Sequence, residues 1–487
     1  MFMYYEDFLQ LMGEDIRSSR RLINTHNITY EYYRIILDEL SKCSKSIYLF
    51  NFSGSSVSRD PASEKWDAIE HRVRIVHAQL ERVIKFISLG DFKIAYEFDD
   101  MANDSDMPVF SFHKRSDYNG LVLLPDFEIF ENNYYAKNTF FDEHFFVDKL
   151  PRAIFVGSTT GTNAREDRIH QNTIHNIDTD PSVRIEAAKY FIHSNDVLFR
   201  LPSIVQCDAQ ETEDYLRSFS FCNPRCIDWQ EQFNYRYLIS VDGNGPTLTR
   251  VAVALLSNSV LLKYDSSWIA YYHRALHAGK NYIAIKSHND IEDVVKQSEL
   301  MADEHYHISN NSSSNFGLIF QRANVDRYIG AVLNEFRSIF YGKDHIYDEN
   351  RRKLDQVAHL DIDAHISNVG DVSFWPELDV VAPHDNFIEG LAIYPASALF
   401  SWHELQYQVI FDDKQVSEIV RGGQYIGTKG QSRGIIGFRM SIASERKIKL
   451  NYLVKFSDGV ELSSGDGRWV VHDGGRIVRL AFDIQAL

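Results

Sequence analysis

Apolar and polar positions follow three different patterns along this chain, and each pattern covers its own region. Up to about residue 90, apolar residues recur at helical spacing in segments such as TYEYYRIILDELSK and WDAIEHRVRIVHAQLERVIKFIS. Turn-forming residues in NFSGSSVSRDPAS interrupt them. The first region is therefore predicted to be mostly helical.

Between residues 92 and 341, short apolar runs alternate with helical segments. The runs FKIAYEF (92–98), PVFSF (108–112), AIFV (153–156), RYLISV (236–241) and YIAI (282–285) predict strands. Helices are predicted over residues 247–256 and 325–341. Strands separated by helices pair in parallel through right-handed crossovers, so an open, doubly wound α/β sheet is the simplest fold for this order.

From about residue 361 the pattern changes to short alternating segments separated by glycine-rich turns, among them LQYQVIF, GIIGFRMSI, KIKLNYLVKF and RIVRLAFDI. This predicts an all-β module, joined to the α/β part by the charged segment RRKLDQVAH (351–359). Two roles for the module stay open. It offers either a glycan-binding surface built on Trp375, Trp402 and Trp469, or a structural sandwich that contributes to a homo-oligomer.

Composition and charge exclude several classes of protein. The 487 residues suffice for about three domains, and 44% hydrophobic with 24% charged residues is typical of globular proteins. A formal net charge of −17 repels nucleic-acid phosphates, so no nucleic-acid partner is expected. No apolar run approaches the length of a bilayer span, and the start lacks a signal-peptide pattern. We expect a cytoplasmic protein without a transmembrane segment, for which peripheral membrane association stays open.

Three predicted strands end in residues suited to the chemistry of a phosphate ester. Asp100 follows FKIAYEF, the loop GSTTGT (157–162) follows AIFV, and DGNGPTLTR (242–250) follows RYLISV and opens a helix. Because the carboxyl ends of parallel strands meet at one edge of a sheet, we expect the three to converge. Arg250 beside a helix start suits an anionic diphosphate, and a carboxylate opposite it suits a general base.

Simpler interpretations of the same residues stand beside this one. A glycine turn before a helix is often a plain chain reversal, and paired aspartates after a strand often cap a turn. The acidic run DDMANDSD also suits a divalent cation. Since an arginine and a helix dipole can replace that cation, neither a metal nor a cofactor is expected.

The segments around these three sites resemble glycosyltransferase family 90, which includes the protein O-glucosyltransferases and the capsule-associated and lipopolysaccharide-modifying sugar transferases. The matching stretches are IAYEFDDMANDSDMPVFSFHKRSDYNGLVLLPD, AIFVGSTTGTNAREDR and YRYLISVDGNGPTLTRVAVALLSNSVLLKYDSSWIAYYHRALHAGKNYIAI, and the resemblance spans roughly residues 29–341. It implies two facing Rossmann-like domains of the GT-B type. Residues 1–150, with a helical start, would form the acceptor side and residues 151–350 the donor side, followed by the β-sandwich of residues 361–487.

The resemblance also implies roles for individual residues. Asp100 is expected to be the general base, with Asp99 as the alternative one position away. The donor diphosphate is expected to contact a set of loop residues, Gly157, Ser158, Thr159, Arg165 (or Arg168 with a different gap), Thr247, Thr249 and Arg250. The nucleoside or sugar side is expected at Asp242, Gly243 and Ser259.

The function implied by the resemblance is that of an inverting hexosyl- or pentosyltransferase. It would move a sugar from a nucleotide sugar, UDP-linked in the first instance, to a hydroxyl of a glycan or lipid-linked glycan acceptor in surface polysaccharide or lipopolysaccharide synthesis. The turn DGNGPTLTR lacks the aromatic and basic lining common in the family, so the donor sugar stays open. The alternative is a non-catalytic glycan-binding or scaffold protein that keeps the transferase fold.

Overall fold

A computed structural model gives the architecture of the chain. It describes residues 5–54, 56–60, 66–132, 142–162, 171–225, 227–356, 358–374, 379–383, 385–397, 400, 404–444 and 447–486. These residues form two α/β lobes, each built around its own sheet, and a C-terminal region rich in strands. No helix in these ranges is long and apolar enough to cross a membrane.

The first lobe contains a mixed five-stranded sheet in the order β2-β1-β3-β4-β6. Its elements are α1 (Tyr5–Thr25), α2 (Tyr30–Cys43), β1 (Ile47–Ser53), β2 (Ser56–Arg59), α3 (Glu70–Val83), β3 (Phe92–Glu97), β4 (Val109–Ser111), β5 (Lys114–Arg115), β6 (Leu121–Leu123) and α4 (Phe127–Asn132). β3, β4 and β6 are parallel, whereas β1 runs antiparallel to both of its neighbours. The prediction of a mostly helical start missed β1 and β2, because the alternating run IYLFNFS is short and adjoins turn formers.

The second lobe contains a five-stranded sheet whose strands are all parallel, in the order β12-β10-β9-β7-β8. Its elements are β7 (Leu150–Ser158), α5 (Ile174–Thr179), α6 (Val183–Tyr190), β8 (Val197–Ser203), α7 (Gln210–Arg217), α8 (Trp229–Gln232), β9 (Tyr235–Ser240), α9 (Leu248–Leu256), β10 (Val260–Tyr264), β11 (Trp268–Ile269), β12 (Ile283–Ile285), α10 (His288–Lys296) and α11 (Ala302–Ile319). The predicted parallel α/β sheet is confirmed here.

A strand pair and a long helix are among the connections between the lobes. β11 of the second lobe pairs antiparallel with β5 of the first. The helix α12 (Arg322–Tyr341) then returns to the first lobe, where the Tyr328 hydroxyl donates to the Leu123 carbonyl at 3.2 Å. The helix α13 (His345–Gln356) follows. In the segment predicted as a linker, residues 351–356 are instead the end of α13, and residues 358 and 359 begin a strand. The prediction was wrong because the exposed, charged face of a helix has the composition of a linker.

The C-terminal region is built from antiparallel strand pairs around a separate apolar core. Its strands are β13 (Ala358–Ile366), β14 (Gly370–Phe374), β15 (Asp379–Val381), β16 (Ile388–Ser397), β17 (Leu405–Phe411), β18 (Val420–Arg421), β19 (Ile426–Gly427), β20 (Ile435–Ile442), β21 (Ile448–Phe456), β22 (Glu461–Gly465), β23 (Val470–Val471) and β24 (Ile477–Ala486). Within the described ranges they form sheets of four strands, ordered β14-β13-β16-β19, β15-β24-β21-β22 and β18-β17-β20-β23. The prediction of a strand-rich C-terminal module is confirmed.

Buried charges attach this module to the first lobe. Arg82 on α3 lies between two carboxylates, with Nε 2.6 Å from Asp326 Oδ2 on α12 and Nη2 3.0 Å from Asp361 Oδ1 on β13. Arg322 Nε lies 3.6 Å from the other oxygen of Asp361. Because an unpaired charge is costly to bury, this cluster holds α3, α12 and β13 in one arrangement.

Candidate functional site

A cleft of about 310 Å³ lies between the two lobes. The loop after β3 and the helices α3 and α4 form its first wall, and the loops after β7 and β9 with the start of α9 form its second. It is lined by Arg72, Asp100, Phe112, His113, Phe127, Glu128, Thr160, Arg184, Gly243, Asn244, Gly245, Pro246, Thr247, Leu248, Thr249 and Arg250. The three strand ends singled out in the sequence therefore do meet.

Asp100 supplies a carboxylate to the first wall. Arg72 Nη1 donates to Asp100 Oδ1 at 2.7 Å and to the Phe98 carbonyl at 3.1 Å, and the Asp100 side chain is 43% exposed. Its neighbour Asp99 does not line the cleft. Asp99 Oδ1 instead accepts the Met101 amide at 3.1 Å, which is the turn-capping role that paired aspartates commonly have.

His113 stands behind Asp100 and was not singled out in the sequence. Its Nε2 lies 3.0 Å from the Asp100 carbonyl oxygen. Because a carbonyl oxygen can only accept, Nε2 carries the proton and Nδ1 is an acceptor. Nδ1 is buried and has no hydrogen-bond partner among the residues that the structure describes. Burial lowers the pKa of His113 to about 4, so the ring is neutral at physiological pH.

Arg250 supplies a buried cation to the second wall. The residue is 8% exposed, and its guanidinium lies 4.8 Å from the Phe155 ring centroid and 5.0 Å from that of Trp229. Nη2 donates to the Val156 carbonyl and to Gln232 Oε1. Among the described residues, Nη1 has no hydrogen-bond partner and no carboxylate pairs with this arginine. Burial, followed by the nearby Arg184 charge, lowers the pKa of Arg250 to about 9, which still leaves it charged at neutral pH.

Arg184, on α6, ties the two loops of this wall together. Its Nη1 donates to Thr160 Oγ1 at 2.8 Å and to Ser158 Oγ at 3.1 Å. Its Nε and Nη2 donate to the Val241 carbonyl at 3.2 and 3.1 Å. Burial lowers the pKa of Arg184 to about 10. The only sequence signal for this residue is an arginine among the apolar positions of PSVRIEAA, and its contacts lie far away in the chain.

The Arg184 guanidinium packs so closely against Gly243 that it leaves no room for a side chain there. A Cβ atom on Gly243 would lie 2.9 Å from Arg184 Nη2 and 3.0 Å from Thr160 Oγ1. Its neighbour Asp242 holds the turn, since Oδ1 accepts the Thr247 amide at 3.4 Å. Thr247 Oγ1 lies 2.6 Å from Ser240 Oγ. The turn 242–247 is thus packed tightly against the Arg184 guanidinium.

Other residues expected in the donor site lie outside the cleft or outside the described ranges. Thr159 exchanges hydrogen bonds with the backbone of Val205. Ser259 Oγ donates to the Tyr235 carbonyl, at the amino ends of β9 and β10 and thus at the opposite edge of the sheet. Gly157 packs its backbone beside the Phe155 ring. Arg165 and Arg168 lie outside the described residues.

Metal ligands and glycan-binding tryptophans were the other candidates. Within the described ranges, no three His, Cys, Asp or Glu side chains come together to hold a metal ion. In the acidic run, Asp104 accepts the amides of Asn119 and Gly120. In the C-terminal module, the Arg439 guanidinium lies 5.0 Å from the Trp469 ring centroid. Trp375 and Trp402 lie outside the described residues.

Comparison with known proteins gives one family. The model of glycosyl transferase family 90 matches residues 10–357, which cover both lobes and end where the C-terminal module begins. A search of curated proteins finds no match to this chain. The activity that the family indicates is glycosyl transfer, and its substrates are a sugar donor and an acceptor. Because the match covers well over half of the sequence, the chain belongs to glycosyl transferase family 90.

Proposed function

We propose that the protein is an inverting glycosyltransferase that uses a nucleoside diphosphate sugar, in the first instance a UDP-hexose or UDP-pentose. The two lobes act as facing Rossmann-like domains of the GT-B type, with the acceptor on the first lobe and the donor on the second. One observation carries this proposal. The buried guanidinium of Arg250, which has no carboxylate partner in the part of the chain that the structure describes, shares a cleft with the half-exposed carboxylate of Asp100.

The donor diphosphate binds at the second wall. A buried cation without a counter-charge is unfavourable until an anion compensates it, and a diphosphate in the cleft that Arg250 lines provides that compensation. Arg184 contributes a second positive charge and keeps Ser158, Thr160 and Gly243 in place. The guanidinium of an arginine presents several donors in a fixed fork, which suits phosphate oxygens.

The reaction is a single in-line displacement. Asp100 removes the proton of the acceptor hydroxyl as its oxygen attacks the anomeric carbon, and the bond from that carbon to the diphosphate oxygen breaks. The leaving diphosphate carries the developing negative charge towards Arg250. Arg72 fixes Oδ1 of Asp100. Oδ2 has no hydrogen-bond partner among the described residues, and it takes the proton.

The acceptor is a hydroxyl of a glycan or a lipid-linked glycan in surface polysaccharide or lipopolysaccharide synthesis, and the reaction takes place in the cytoplasm. Charge stabilisation by Arg250 and Arg184 replaces a divalent cation. The resemblance to capsule-associated and lipopolysaccharide-modifying transferases supports this choice of acceptor, and the buried guanidinium groups support the metal-independent step.

A panel of nucleotide sugars tests the proposal. The full-length protein is incubated with UDP- and GDP-linked hexoses and pentoses, with and without glycan acceptors, in buffer that contains excess chelator. We expect one donor class to release its nucleoside diphosphate in an acceptor-dependent way, and the anomeric configuration of the product to be inverted. Retention of configuration would contradict the single displacement. The absence of turnover with every donor, despite nucleotide binding, would favour a non-catalytic binding protein.

A further inference from the structure

Glu128, on α4 of the first lobe, caps the amino end of α9 in the second lobe. Its Oε2 accepts the Thr249 amide at 2.9 Å and also accepts a hydrogen bond from the Thr249 hydroxyl. Both residues line the cleft. The first turn of a helix is where anionic ligands bind most readily, because its amides are unpaired and its dipole is positive. In this protein a carboxylate of the chain itself holds part of that position.

The occupied amide limits how a diphosphate can bind. The Thr249 amide is taken by Glu128, and the Thr247 amide faces Asp242 Oδ1 at 3.4 Å. The full positive charges that this wall offers to a ligand are those of the Arg250 and Arg184 guanidinium groups. Glu128 and Arg250 line the same cleft of about 310 Å³, so a diphosphate that enters it to reach Arg250 lies in a space that the Glu128 carboxylate also borders.

The Glu128 carboxylate affects the binding of the nucleotide sugar and of the released nucleoside diphosphate differently, because the two molecules carry different charges. In a nucleotide sugar the terminal phosphate is esterified and carries one negative charge. In the released nucleoside diphosphate the same phosphate is a monoester, which at neutral pH carries about −1.5 to −2 charges. A nearby carboxylate repels the more highly charged group more strongly.

We propose that Glu128 is a specificity-determining residue of the donor site, which weakens the binding of the free nucleoside diphosphate relative to its sugar conjugate. The product is thereby released more readily than the donor. This inference rests on the proposed function, since it assumes that the diphosphate binds at Arg250.

The substitution Glu128→Gln tests the inference, because glutamine keeps an oxygen that accepts from Thr249 while it removes the charge. Binding of UDP and of UDP-glucose to the full-length protein is measured by calorimetry. If the wild-type protein binds guanosine nucleotides instead, GDP and GDP-mannose are the probes. We expect the variant to bind the free diphosphate about tenfold more tightly and the conjugate at most about twofold more tightly. Glu131→Gln, on the same helix and exposed, is the matched control and is expected to leave both affinities unchanged.

The outcomes separate this inference from the proposed function. Equal changes for both nucleotides, or no change for either, would overturn the role of Glu128 while the donor site stands. Weaker binding of both nucleotides together with a lower melting temperature would show that Glu128 is only a helix cap, and would also overturn it. If the wild-type protein and both variants bind no nucleotide, the proposed function itself fails, and this inference fails with it.

Discussion

The backbone of Gly245 packs against the carbonyl of Asp100, so closely that a Cβ atom at residue 245 would lie 3.0 Å from the Asp100 oxygen. The two residues belong to different lobes. The same carbonyl oxygen lies 3.0 Å from His113 Nε2. Asp100 is therefore held from both lobes, by its backbone as well as by its side chain.

The substitution Gly245→Ala tests whether this contact positions Asp100. The added methyl group would press on the Asp100 carbonyl, so we expect turnover to fall by at least about tenfold, because catalysis is sensitive to small displacements. Nucleotide affinity should change much less, since Arg250 and Arg184 do not contact Asp100. Steady-state kinetics and calorimetry measure the two effects. Equal losses of turnover and affinity would mean that the whole cleft is distorted.

The substitutions Asp100→Asn and Asp99→Asn separate the two candidate bases. A general base contributes about 10²- to 10⁴-fold in rate, so Asp100→Asn should lose most turnover and retain nucleotide binding. Asp99→Asn should retain most turnover, since Asp99 does not line the cleft and its Oδ1 accepts the Met101 amide of its own turn. Full activity of Asp100→Asn in a transfer assay would remove Asp100 from the mechanism.

Much of this site could be predicted from the sequence because its residues follow strands directly. Asp100 follows β3, and the turn that leads to Arg250 follows β9, as expected for ligand-binding residues at the carboxyl ends of strands. The strands belong to two different sheets, however, so these residues meet because the two lobes face each other and not because they share one sheet. Ser259 and Thr159 were expected in the same site, yet Ser259 precedes its strand, and the Thr159 hydroxyl bonds to the backbone of Val205.

Other parts of the site could not be predicted because their contacts are distant in sequence. Arg184 acts through Val241, 57 residues away, and Glu128 through Thr249, 121 residues away. Local patterns carry no information about such pairs. The strands β1 and β2 were missed for a different reason, since a short alternating run beside a helical region is ambiguous.

The buried charge cluster at the C-terminal module makes a prediction about stability. Asp361→Ala removes the carboxylate that Arg82 and Arg322 share, so we expect a loss of about 3–5 kcal/mol in the free energy of unfolding. Asp379→Ala is the control. It removes a partly exposed pair with Arg479, and should cost less than about 1 kcal/mol. Chemical denaturation compares the two, and equal small losses would show that the module is not held by these charges.

The buried, neutral ring of His113 is expected to make the protein less stable at acidic pH. Its folded pKa of about 4 lies below its ordinary value of 6.5, so the unfolded chain binds a proton in this interval that the folded protein does not. The contribution of this residue to stability is complete above pH 6.5 and is lost as the pH falls towards 4. His113→Gln keeps a donor near the Nε2 position and should show a smaller fall in melting temperature over this range.

A comparison of the variant with the wild-type protein isolates this effect. Burial lowers the pKa of His273 to about 3, so this residue also makes both proteins less stable as the pH falls. Burial and the Glu128 charge raise the pKa of Asp126 to about 8, so this residue makes both proteins more stable as the pH falls. Identical acid profiles for the two proteins would show that His113 is not the neutral, buried group described above.

Calorimetry of UDP and GDP with the wild-type protein and Arg250→Ala tests most directly the claim that the buried guanidinium of Arg250 binds a nucleoside diphosphate. Arg217→Ala, on the exposed helix α7 of the same lobe, is the control. We predict that the wild-type protein and the control bind one of the two nucleotides equally well, and that Arg250→Ala binds it at least about tenfold more weakly, as expected for the loss of a charged hydrogen bond. Unchanged affinity in Arg250→Ala, with its fold intact, would contradict the claim.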